Sequence, residues 1–247
     1  MNRFLCLSAL ATFVALPATA ATIDITDFSK AAYDGKLGEM SVAIVEDFET
    51  FSEGNVADGW SASSVGSFST TGGVGSGGTV MASVANGNFA GNDGSELALR
   101  DGNVYGRKST TQALTGDKAD DMFLDSNDTY GIEWVVDIGS MFNRLMFTLM
   151  DATDVGAIME ISVGSETYSL SGLGDGDTKI VDITFDTAVS TATIFMHNTN
   201  GNGASKRNDG FSIDDIAVSA VPLPAGAWFL LGGLGALATL RRRKRAA

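Results

Sequence analysis

The chain has 247 residues, 44% of them hydrophobic, and thirty acidic residues against sixteen Lys and Arg give it a formal charge of −14. All thirty acids fall between Asp24 and Asp215, where only ten Lys or Arg lie, so that stretch carries a formal charge of −20. Such a surface repels phosphate backbones, which excludes nucleic acid as a partner, and its twenty-two Asp and eight Glu attract divalent cations. A single cysteine, Cys6, and a single histidine, His197, exclude a thiolate or multi-histidine zinc site.

The N-terminus runs from Asn2 and Arg3 through thirteen mostly apolar residues, 4–16, to Pro17-Ala18-Thr19-Ala20. Charged, apolar and small-residue parts in that order predict a signal peptide over residues 1–20, cut after Ala20 by signal peptidase. The run is too short for a bilayer core of about 30 Å. Cys6 leaves with this peptide, so the remaining body has no disulfide and no thiol nucleophile.

Residues 27–37 predict a helix. Residues 42–48, 80–84, 132–138, 145–150, 157–163, 179–185, 188–196 and 211–218 predict strands, being β-branched or period-two stretches bounded by Gly, Asn, Asp and Ser. Val181, Ile183 and Phe185 alternate with Ile180, Asp182 and Thr184, which points one face to a core. Polar loops are expected at 72–78, 86–94 and 198–210. The whole predicts one all-β domain over residues 21–219, a sandwich rather than a solenoid because no segment repeats.

Residues 220–247 form a tail in three parts. Val221-Pro222-Leu223-Pro224-Ala225 leads into a charge-free stretch, 226–240, and then into Arg241-Arg242-Arg243-Lys244-Arg245. Fifteen residues make about 22 Å of helix, a short membrane segment, and the five cations stay cytoplasmic, which places the body on the outer face. Pro222 and Pro224 keep the motif extended and accessible. An ordinary single-span anchor is the simpler alternative.

The ordered tail resembles the PEP-CTERM sorting tails, specifically the VPLPA-CTERM variant. That resemblance implies recognition by a membrane-embedded exosortase at the surface of a Gram-negative bacterium that makes exopolysaccharide. Leu223 stands where the parent motif has glutamate, which leaves the cognate sortase and the cut position open. In the body, Glu46-Asp47-Phe48-Glu49 with Gly59-Trp60, and the closing stretch 211–218, resemble the first and last strands of carbohydrate-binding-module jelly rolls. This implies a jelly-roll-like β-sandwich between an N-terminal signal helix and a C-terminal membrane helix, with a structural calcium where the first and closing strands meet.

For that ion Glu49 and Asp215 are the first choices, with Asp47 and Asp214 second. Alternation puts Asp47 and Glu49 on one face and sends Asp214 and Asp215 to opposite faces. Solvated turn acids are the competing explanation. An EF-hand is excluded, since a loop starting at Asp125 has Tyr130 and Val136 where the glycine and glutamate belong. For a carbohydrate, Trp60, Tyr105 and Arg107 are the candidate contacts, because sugar sites need exposed rings beside planar donors. Trp134 lies in an apolar strand and is expected in the core, and a solvated hairpin would equally explain residues 100–107. His197 reads as a strand-borne, satisfied side chain against the alternative of a catalytic base. Neither a Gly-x-Ser-x-Gly elbow nor a P-loop occurs.

The function expected is an exported, surface-sorted, non-catalytic module associated with exopolysaccharide or other carbohydrate. The alternatives are a structural or adhesive matrix protein without a small-molecule site, and a glycoside hydrolase or lyase built on two carboxylates.

Overall fold

The computed structural model describes residues 20–41, 43–71, 96–102, 106–115, 121–127, 129–201 and 209–221. The expected signal peptide up to residue 19, the expected strand 80–84, the expected loops 72–78 and 86–94, Tyr105 and the tail from residue 222 lie outside the described residues. In chain order the elements are β1 (Ala21–Asp27), α1 (Lys30–Gly38), β2 (Ala43–Glu46), β3 (Gly54–Val56), β4 (Gly66–Thr70), β5 (Leu97–Asp101), α2 (Thr110–Thr115), β6 (Met122–Asp125), β7 (Gly131–Val136), β8 (Phe142–Met150), β9 (Ile158–Val163), β10 (Glu166–Ser171), β11 (Thr178–Val189), β12 (Ala192–Thr199) and β13 (Ser212–Ala220). The fold is all-β, in two antiparallel sheets. One runs β1-β11-β8-β13-β6-β5-β3, with β2 also paired to β13; the other runs β10-β9-β12-β7-β4.

Period-two alternation builds the shared core. Ile132, Trp134 and Val136 of β7 point inward between Glu133 and Val135, and Met159, Ile161 and Val163 of β9 do the same. Trp134 is wholly buried, as its apolar strand predicts. Its ring stacks on Phe68 at 5.7 Å and meets Phe147 edge-on at 6.1 Å, and its indole N–H donates to the Val65 carbonyl at 3.1 Å.

β8 and β13 read as continuous buried runs because their second face is covered too. Helix α1 lies over that face, packing Tyr33 and Met40 against Met146, Ile180 and Ala217. Ser29 caps the helix by accepting from the Ala32 amide at 3.1 Å, which is why it starts after Asp27, the last residue of β1. The stretch 188–196 is not one strand. β11 and β12 lie in different sheets, and the chain crosses between them at Ser190 and Thr191, a turn without Gly, Pro or Asn and therefore invisible to composition.

The strands give the body two distinct ends. At one, Ala21 begins β1 opposite Phe185, and Ala220 ends β13 opposite Phe142, so entry and exit of the chain lie together. The Val221 amide still donates to the Met141 carbonyl at 2.7 Å there. At the other end lie the β8–β9, β10–β11 and β12–β13 connections. Among the described residues no helix is long and apolar enough to cross a membrane.

Candidate functional site

Two loops meet at the end opposite the chain termini. Asp151 follows β8 with φ of 61°, its amide donates to the Asp177 carbonyl at 2.9 Å, and its Oδ1 accepts from the Gly176 amide at 2.8 Å. Thr153, also at positive φ, accepts from the Leu173 amide through Oγ1 at 3.0 Å. Asp209, from the β12–β13 connection, accepts from the Ala157 amide at 2.8 Å and ties in a third loop.

These ties gather Asp151, Asp154 and Asp175, whose carboxylate oxygens lie within 4.8 Å of one another, the first buried and the other two exposed. The carboxylates close over Gly106, which has φ of 95°; a Cβ there would stand 2.2 Å from Asp175 Oδ1 and 2.4 Å from Asp151 Oδ1. Burial pushes the Asp151 carboxyl up to about 8. The Gly176 amide opposes the rise, Asp154 and Asp175 add to it, and Arg107 opposes it. Three hard oxygen donors on adjoining loops suit calcium, whose remaining positions loop carbonyls and water can fill. Nothing in the local pattern announced the group, since 21 residues of sequence separate Asp154 from Asp175; the only trace was the acidic turns Asp151-Ala152-Thr153-Asp154 and Asp175-Gly176-Asp177.

The acids expected to bind calcium lie elsewhere. Phe48 takes φ of 58°, so Asp47 and Glu49 sit in a turn after β2 rather than on one face of a strand. Glu49 Oε1 accepts from the Met122 amide at 2.8 Å, and Asp47 is exposed. A bulge at Asp215, with φ of 46°, breaks the alternation of β13. Asp214 is buried and accepts from the Thr110 amide at 2.8 Å and the Asp215 amide at 2.7 Å. Burial raises the carboxyls of Glu49, Asp214 and Asp215, and neighbouring acids add to each: Asp121, Asp47 and Asp101 around Glu49, Asp215 beside Asp214, and Asp47 and Asp121 beside Asp215. The four residues thus share one acidic neighbourhood with Asp101 and Asp121. Among the described residues, however, the group with carboxylate oxygens close enough for one ion is that of Asp151, Asp154 and Asp175.

Trp60 forms the partly exposed end of an aromatic stack, 4.9 Å from Phe51 and 6.1 Å from Phe68 between ring centres. Arg107 is only 2% exposed, and its guanidinium lies 3.2 Å from Asp125, which also pairs with buried Arg100. It therefore faces the interior rather than a surface ligand. His197 is half-buried on β12, with Nε2 at 3.3 Å from Glu160. Beside the three aspartates, a cleft of about 490 Å³ opens between Phe28, Lys108 and the stretch 176–179. In comparisons with known proteins, no protein-family model and no curated protein matches the chain.

Proposed function

We propose that the chain is an exported, surface-sorted, non-catalytic module of jelly-roll-like β-sandwich form, associated with the exopolysaccharide of the cell that makes it. The observation that carries this reading is the coincidence of two kinds of boundary. The first strand starts at Ala21, next to the cleavage point expected after Ala20, and the last pairing of β13 ends at Ala220, next to the first residue of the motif at Val221. The described fold begins and ends beside the two expected processing signals, as handling by a signal peptidase and then an exosortase-type enzyme would require.

Calcium belongs to the same reading as a structural ion. Asp151, Asp154 and Asp175 would hold it, and it would supply a cross-link between the β8–β9 and β10–β11 loops. Catalysis is disfavoured by the same geometry: the one strongly shifted carboxyl in the group, that of Asp151, is 2% exposed and has no face to offer a glycosidic oxygen.

Two measurements test the proposal. Replacing Pro222 and Pro224 with alanine should leave uncut precursor in the membrane; processing identical to the parent would reduce the tail to a plain anchor. Affinity electrophoresis of residues 21–219 in the producer's own exopolysaccharide should retard the protein, and a Trp60→Ala variant should be retarded less. Unchanged mobility of the parent at high polysaccharide loading would leave a structural matrix protein as the remaining role.

A further inference from the structure

The placement of the chain ends fixes how the body stands. β1 and β13 are separated in their sheet by β11 and β8, so Ala21 and Ala220 leave the same end of the body about 14 Å apart. Below β13 there is almost no linker. Val221 is still bonded to Met141, and four residues, 222–225, separate it from the charge-free stretch that starts at residue 226. Fully extended, four residues span about 14 Å. The nine residues of β8 alone make the body about 30 Å tall along the same axis. A tether of that length cannot lift its attachment point high enough for the opposite end to rest on the bilayer.

At the chain-terminal end the connections 137–141, 164–165 and 190–191 carry Asp137 and leave Met141 exposed, and the exposed acids Glu39, Glu166 and Asp186 lie beside them. Of the connections at the far end, 151–157 and 172–177 carry Asp151, Asp154, Asp175 and Asp177, and Lys108 and Lys179 line the cleft beside them. Both ends carry acidic residues, so it is the length of the tether that decides between them.

We infer that the body stands end-on over the membrane, its chain-terminal turns against the outer headgroup surface and the Asp151, Asp154 and Asp175 loops presented away from it. This rests on residues 226–240 being the membrane segment. Processing then takes place at the inner end, and anything met from outside is met at the acidic loops and the cleft beside them.

Residues 21–247 have no cysteine, so with Cys6→Ser as the background single introduced cysteines report position directly. In the full-length protein in right-side-out membrane vesicles, Val155→Cys (far end), Ser190→Cys (chain-terminal end) and Ser169→Cys (outer strand face of β10) are labelled with a bulky, impermeant polymer-linked maleimide, before and after detergent. All three positions are exposed, so their rates in detergent should agree. On vesicles Val155→Cys and Ser169→Cys should keep that rate, and Ser190→Cys should be slowed several-fold. Equal slowing at Ser190 and Val155, or none at either, overturns the end-on arrangement; slowing at Ser169 as strong as at Ser190 means that the body lies on its side and overturns it as well. If all three stay unlabelled until detergent is added, or the protein washes off without detergent, the membrane reading of the tail falls and the orientation falls with it.

Discussion

The Asp151 carboxyl has a folded-state value of about 8 against an ordinary 3.8, so the fold disfavours its ionised form. This group costs nothing below about pH 4; its penalty grows as pH rises from 4 to 8 and is complete above 8. In chelator, Asp151→Asn should therefore melt above the parent at pH 8 and level with it at pH 4, and a variant that melts lower at pH 8 would contradict the burial argument. Calcium should reverse the order at pH 8, because an ion held by Asp151, Asp154 and Asp175 stabilises the parent and not the variant. At a hundred times its dissociation constant one ion adds about 2.7 kcal/mol, roughly 5 to 10 °C in melting temperature for a domain of this size. Equal parent midpoints with calcium and with chelator would remove the ion. Of this site only the acid excess was legible in the sequence. Phe48 and Asp215 at positive φ defeat the alternation on which the expected placement of Asp47, Glu49, Asp214 and Asp215 depended, and a cluster closed by two loops has no local signature.

Strands with alternation or long β-branched runs, such as β7, β9 and β11, could be read directly, and α1 to within a few residues. β5 and β6 could not, although Leu97–Asp101 and Met122–Asp125 are almost wholly buried. Each carries a charge where a core strand should be apolar, Arg100 in one and Asp125 in the other, and the two neutralise each other inside the fold. Arg107 joins the same carboxylate, so one acid serves two guanidiniums. Asp125→Asn would remove the carboxylate that both buried guanidiniums share, and should cost about 3–5 kcal/mol in urea unfolding. A loss below 1 kcal/mol would mean that the pairing is incidental. β1, also missed, alternates correctly but is flanked on its N-terminal side by the apolar stretch 4–16, whose composition swamps a seven-residue pattern.

A formal charge of −20 between Asp24 and Asp215 makes self-repulsion a property of the whole body. Raising monovalent salt from about 0.01 M to 1 M shortens the screening length from about 30 Å to 3 Å. The melting temperature of residues 21–219 should rise across that range in chelator. A fall would show that attractive networks outweigh the repulsion, notably the half-buried one in which Asp182 pairs with Arg144 and Lys36.

β13 is the last of the described strands, yet it lies in the middle of its sheet, hydrogen-bonded to β8 on one side and to β2 and β6 on the other. A chain crossing a membrane from its N-terminus delivers these nine residues after every other strand. Until they arrive, β8 has a bare edge and β2 has no partner among the described strands, so the sheet cannot close. High sequence separation of contacts already makes such a topology slow to fold. On the proposed export route the delay would have a use, because an unclosed body stays threadable for as long as translocation lasts. The next residues to enter the channel are those of the motif and the apolar segment. If residues 226–240 are the membrane segment proposed above, completion of the fold and arrest of the chain would be nearly simultaneous, with the final strand serving as the clock for both.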